Sequence, residues 1–196
     1  MKSRFPALAI PGLFALAVSV VALPASADDQ RQFKIRLKGF EEVPSVSTVA
    51  TGELELTINN AETEVDYVLS WSGLQGTVTQ AHIHVAQRSV NGVIVVWLCK
   101  TANVQPADPV VAALTPDCPL SSSGTVSGTF TAANVVQAVP PNAPTQQILA
   151  GELAEVIAAM RAGVAYGNVH TNLSPGGEIR GQIGDRIFNF LHQLFH

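Results

Sequence analysis

Basic side chains are scarce in this chain. Only 11 Lys and Arg stand against 15 Asp and Glu in 196 residues, for a net charge of −4, and they are scattered. Lys2 and Arg4 belong to the first few residues, so the remainder is more acidic still. Such a surface repels polyanions, and nucleic-acid binding is not expected. Cysteine is rarer again: Cys99 and Cys118 are the only two, and neither lies near the N-terminus, where a lipid anchor would attach. There is no catalytic cysteine arrangement, no G-x-S-x-G elbow and no glycine-rich phosphate loop. The close carboxylate pairs Glu41-Glu42 and Glu53-Glu55 read as charged positions on or before exposed strand faces, with no acid/base partner. These absences weigh against an enzyme and leave the question open.

What is present begins with an export signal. Lys2 and Arg4 precede a continuous apolar stretch ending in Ala25-Ser26-Ala27, the small-x-small pattern of a cleavage site, so residues 1–27 are expected to be removed and the mature chain to start at Asp28. No integral membrane span is expected after cleavage, and the destination is the periplasm or the extracellular space. In such a compartment thiols oxidise, and a Cys99–Cys118 disulfide is expected across a proline-rich loop.

From Asp28 onward the dominant pattern is alternation, the period of a half-buried strand. Phe33, Ile35 and Leu37 alternate in one segment, Leu54, Leu56 and Ile58 in a second, and Val65, Tyr67, Leu69 and Trp71 in a third. The turn-rich "NNAET" between the last two predicts a hairpin. "TQAHIHV", "GVIVVWL", "GTVSGTFTA", "VAYGNVHT" and "GEIRGQI" continue the series; the second of these, apolar on both faces, reads as a central strand. The fold class is therefore all-β, expected as a Greek-key β-sandwich over residues 28–183. One amphipathic helix interrupts it before the last two strands, with Leu153, Val156, Ile157 and Met160 at i, i+3, i+4 and i+7 and Gly163 as its stop. The stretch from Thr101 to Ser123 reads as a long loop. A second, short amphipathic helix is expected over residues 184–196, starting from a cap at Asp185.

Two of the five histidines, His82 and His84, stand one residue apart on a strand. Residues two apart on a strand share a face at about 6.7 Å. Ala81, Ile83 and Val85 then point to the core, and both imidazoles point outward or under a covering loop. His170 in "AYGNVHTN" has the parity of Tyr166 and Asn168, again on a polar face. If its strand neighbours that of His82, three imidazoles converge, a donor set that suits copper or zinc. Asn168 is on the same face. Glu178 either pairs with Arg180, two residues on, as a surface ion pair, or orients a metal-bound histidine. His192 and His196 stand at i and i+4 near the chain end, the remaining histidine pair.

With those residues in view, the chain resembles the CHRD domain family, named for repeats in the developmental regulator chordin. The likeness rests on "LKGFEEVPSVSTVATGELEL", "GLQGTVTQAHIHVAQRSVNGVIVVWL" and "AGELAEVIAAMRAGVAYGNVHTNLSPGGEIRGQI", in that order. Ser45 departs from the pattern, since such sequences often carry a second proline after the position of Pro44. The resemblance implies a β-rich module with no enzymatic activity generally established; the sandwich expected from the strands is of immunoglobulin or superoxide-dismutase type, and its partner an unidentified protein or polysaccharide. The H-x-H strand is also similar to the copper-ligand strand of copper/zinc superoxide dismutases, so two functions stay open. One is a non-enzymatic binding or structural module of the envelope or extracellular space. The other is a copper- or zinc-binding protein built on His82, His84 and His170, with superoxide-type redox chemistry as a variant.

Overall fold

Alternation along the first strands translates directly into burial. Strand β1 (Gln32–Lys38) turns Phe33, Ile35 and Leu37 inward and its charged residues outward. The computed structural model, which describes residues 30–137 and 146–184, pairs it antiparallel with β2 (Thr51–Ile58). Strand β3 (Glu64–Ser72) returns beside β2 as the expected hairpin. Its turn is held by Asn59, whose Oδ1 accepts the Thr63 N–H at 2.9 Å, a polar side chain standing in for a ladder bond. Strands β4 (Val78–Val85) and β5 (Val93–Cys99) form a second hairpin, followed by β6 (Gly124–Thr131), β7 (Ala165–Thr171) and β8 (Ile179–Ile183).

The two packed sheets of a sandwich are not what forms. All eight strands join one antiparallel sheet in the order β5-β4-β7-β8-β1-β2-β3-β6, rolled into a nearly closed barrel. Its interior is one continuous core, to which β1 to β8 contribute Leu37, Leu54, Leu69, Ile83, Leu98, Phe130, Val169 and Ile183 among others. Each such side chain, fully withdrawn from water, stabilises the fold by about 1.5–3 kcal/mol before the cost of ordering it.

The seam between the first and last strands of that order explains a second departure. β5 is apolar on both faces, yet it ends the order rather than occupying its centre. Its free edge is covered instead. Val96 bridges Val135, Val136 N–H donates to Val95 O at 2.9 Å, and the Tyr67 hydroxyl donates to Leu98 O at 2.6 Å. The segment following β5 also contains a helix where a loop was expected. Helix α1 (Pro109–Leu114) is short, starts with proline at N1, and is capped by Asp108, whose carboxylate accepts the Val110 N–H at 2.8 Å.

Cys99 and Cys118 are disulfide-bonded, 19 residues apart in sequence, with Cα atoms 5.0 Å apart. The bond ties the α1 segment to the end of β5. Closing a loop of this size stabilises by about 3 kcal/mol in the chain-entropy model. A Cys99→Ser/Cys118→Ser variant is therefore expected to lose about that much in urea unfolding, and an unchanged midpoint would show that the seam needs no tether.

Helix α2 (Leu153–Arg161) falls inside the predicted amphipathic segment and buries Leu153, Val156, Ile157 and Met160. Gly163 ends the turn beyond it with a φ of +74°, the left-handed conformation that glycine adopts without strain. No helix among the described residues is long and apolar enough to cross a membrane. The predicted signal segment and the C-terminal helix with His192 and His196 lie outside the described residues.

Candidate metal centre

The site is assembled by the pairing of β4 with β7. In that ladder His82 stands opposite Asn168, His84 opposite Tyr166, and Gln80 opposite His170. Odd residues of β4 point inward, where Ala81 and Ile83 join the core, so His82 and His84 share the outer face with the polar residues of β7. The adjacency that spacing alone could not supply is thus present. Loops cover this face: His82, His84 and His170 are 0%, 7% and 6% exposed. One nitrogen from each of the three falls within 4.8 Å of the others. Nitrogens sharing a metal at about 2.0–2.1 Å sit about 3.3 Å apart in a tetrahedral arrangement and at most about 4.1 Å apart, so modest ring rotations close the set.

Hydrogen bonding decides where the protons are. His84 Nδ1 lies 3.0 Å from Gly92 O, and His170 Nδ1 lies 2.9 Å from Pro175 O. A carbonyl only accepts, so both rings carry their proton on Nδ1 and present a bare lone pair on Nε2. His84 Nε2 is buried with no partner. His170 Nε2 sits 3.2 Å from His82 Nδ1 and 3.1 Å from Asn168 Oδ1. His82 Nε2 is likewise buried and unpartnered. Whichever nitrogen of His82 holds the proton, at least two buried imidazole nitrogens remain unsatisfied, at a cost of about 1–3 kcal/mol each. A bound cation would satisfy them. Carbonyls holding Nδ1–H while Nε2 faces a common point is the outer support that metal-binding histidines use.

Burial is the leading reason these imidazoles resist protonation. It pulls His84 down to about 3 against the opposing help of Gly92 O, and it lowers His82 and His170 as well, with neighbouring histidines adding to the effect on His82. The rings are therefore neutral, as ligation requires.

Aromatic rings and one arginine complete the wall. Trp97, opposite His82 on β5, meets it edge to face with centroids 4.2 Å apart. Tyr166 stacks on His84 at 4.7 Å with planes 1° apart, and the Arg180 guanidinium lies 3.3 Å over the Tyr166 ring. The two neighbours cannot share one face of Tyr166 at those distances, so the phenol ring is sandwiched between them.

A family model for the CHRD domain matches residues 33–183. The chain belongs to the CHRD domain family. No curated protein and no solved structure matches it at a significant level. Membership suggests a small binding module of extracellular type. In this CHRD domain, the three stretches that carry the resemblance meet at the histidines. The first supplies Glu42 and Thr48, the second His82, His84 and Trp97, and the third Tyr166, Asn168, His170, Glu178 and Arg180.

Glu178 and Arg180 do not form the surface ion pair that their spacing allowed. Both are 1% exposed. Glu178 Oε1 accepts from Thr48 Oγ1 at 2.9 Å and Gln75 N–H at 2.8 Å, and Oε2 from Thr171 Oγ1 at 2.8 Å and Gly76 N–H at 3.4 Å. Its four bonds tie two loops to the end of β7 and go to no histidine. Arg180 donates to Val90 O at 2.8 Å and to Asn91 Oδ1 at 3.3 Å, fixing the β4–β5 loop over the site. Removing Glu178 would strand several donors in the interior. Glu178→Ala is expected to cost about 3 kcal/mol or more in chemical unfolding, and a loss below about 1 kcal/mol would show that those donors find water instead.

The CHRD domain also buries an acid that its sequence conceals. Glu42, half of an apparent surface pair, is 4% exposed, and its Oε1 has no partner. Burial raises its carboxyl to about 7, against the lowering effects of the Arg180 charge and of hydrogen bonding from Asn168 and Val43. Gly177 lies against it with a φ of +123°, and a Cβ there would sit 2.2 Å from Glu42 Oε1, so only glycine lets this carboxyl pack. Glu41 remains at the surface, paired with Arg88.

Proposed function

We propose that this domain is an exported metal-binding module whose ligands are His82, His84 and His170. The reading rests on a single observation: three buried, neutral imidazoles converge, two of them with Nδ1–H held by carbonyls, and at least two nitrogens are left facing no partner. Three nitrogen donors without a thiolate suit copper or zinc. The disulfide and the signal-like N-terminus support residence in an oxidising compartment. Superoxide-type turnover would also need a coordination position that a small substrate can reach, and all three ligands are withdrawn from solvent. Binding is therefore the function put forward.

Metal content decides it. Residues 28–196, expressed without a histidine tag and incubated with copper and zinc, are expected to carry close to one ion per chain by mass spectrometry. A His82→Ala/His84→Ala/His170→Ala variant should carry none. His84→Asn, whose amide nitrogen takes the place of Nδ1 and can still donate to Gly92 O, provides a variant less prone to unfold and should also lose the ion. Wild-type protein that stays metal-free would overturn the proposal.

A further inference from the structure

The charges around the three histidines bear on which ion they take. Resting on the metal site proposed above, we infer that the site prefers monovalent copper to the divalent ions of copper and zinc. Every nitrogen of the cluster belongs to a neutral ring, and no carboxylate or thiolate joins it among the described residues. A buried positive charge also stands close by. Arg180 is buried on the far face of Tyr166, whose near face stacks on His84.

Two carboxylates lie in the neighbourhood, and neither belongs to the donor cluster. Glu178 is engaged by Thr48, Thr171, Gln75 and Gly76. Glu42 packs against Gly177 and Asn168, and burial opposes its ionisation. The exposed Arg88–Glu41 pair at the rim cancels itself. An ion entering this site therefore brings its charge into a low-dielectric interior among donors that carry none. The self-energy of an ion in such a medium rises with the square of its charge, so a dication costs four times what a monocation of equal size costs.

Coordination number points the same way. Zinc and divalent copper want four or more ligands, whereas monovalent copper is satisfied by three nitrogens. Trp97 against His82 has no lone pair to give, and the hydroxyl of Tyr166, which stacks on His84, already accepts the Gly92 N–H at 3.2 Å. Asn168 Oδ1, 3.1 Å from His170 Nε2, is the one further donor the described contacts place beside the cluster. It is a neutral oxygen, which adds no charge and suits monovalent copper poorly.

Divalent copper is the stringent competitor, since it heads the divalent series for nitrogen sites. The experiment titrates the tag-free 28–196 protein with each ion separately, against a chromophoric chelator of known affinity for that ion. Ascorbate under nitrogen keeps copper monovalent in one arm, and divalent copper and zinc are added in air in the others. Monovalent copper bound at one per chain, at least about tenfold tighter than either divalent ion, is the expected result. One ion per chain with a smaller advantage, or with zinc or divalent copper tighter, overturns the preference and leaves the metal site standing. No stoichiometric binding of any of the three removes the metal site and this inference together.

Discussion

Metal-free protein should unfold on mild acidification, between about pH 4 and 5, because its three site histidines are folded in the neutral form. The sign follows from linkage. A histidine whose folded value lies below its unfolded one contributes stability that is fully present above the unfolded value, near 6.5, and that is lost as pH falls toward the folded value. For His84, which burial holds down to about 3, the unfolded chain takes up a proton across that whole window while the folded one does not. The loss is about 1.4 kcal/mol per pH unit, or about 5 kcal/mol in all. His82 and His170 are lowered too and add in the same direction. A typical domain has only about 5–15 kcal/mol to lose. Glu42 partly offsets this, since its raised value favours the folded state as pH falls from about 7 toward 4.5, but it is one group against three. Far-ultraviolet dichroism and tryptophan emission across pH 7 to 3 would follow the transition. Retention of the native signal at pH 3.5 would show that the imidazoles are hydrated in solution. His84→Gln, which cannot titrate, should flatten the stability-versus-pH slope by about 1.4 kcal/mol per unit.

How much of this was legible in the chain depends on whether an interaction is local. Strand parity put His82 and His84 on one face and His170 with Asn168 on another polar face, because the two-residue period of a strand requires nothing beyond the sequence. That β4 and β7 lie side by side is a pairing across more than 80 residues, and alternation is silent about which strand neighbours which. The same limit explains the sandwich expectation. Eight alternating strands are compatible with two packed sheets or with one rolled sheet, and the choice lies in the order β5-β4-β7-β8-β1-β2-β3-β6. β5 looked central because both its faces are apolar, whereas it is an end strand whose free edge is met by Val135 and Val136. Helix α1 left a local trace, proline after an aspartate cap, but one turn and a half has no apolar period to read.

The polar groups around the histidines were hidden for a different reason. Charged residues are presumed exposed, and Glu42, Glu178 and Arg180 read as surface positions in a chain with few charges. Each is buried because loops fold over the outer face of β4, β7 and β8, which makes a second, polar interior beside the apolar one. Gly177 was the available clue. A glycine beside Ser174-Pro175 is explained by turn chemistry alone in the sequence, although its position is also demanded by the carboxyl packed against it.

That carboxyl carries the second large effect. Glu42→Gln is expected to make the protein more stable at pH 8, by about 3 kcal/mol, and by only about 1.4 kcal/mol at pH 5.5, above the acid transition of the metal-free form. A carboxyl raised from 4.5 to about 7 by folding contributes stability that is whole below pH 4.5 and is lost as pH rises through 7. At pH 8 the wild-type side chain is ionised while Oε1 stays without a partner, and Arg180 recovers only part of the desolvation cost. Glutamine matches the protonated acid in shape and never ionises. Urea unfolding of both proteins at the two pH values supplies the comparison, with the metal-free form used throughout so that binding does not enter. A gain at pH 8 that falls by about half at pH 5.5 would establish a buried, titrating carboxyl beside the histidines. A variant equally stable at both values would place Glu42 in water. A variant less stable at pH 8 would mean that the carboxylate is a needed counter-charge for Arg180, and the site would then hold more negative charge than its geometry implies.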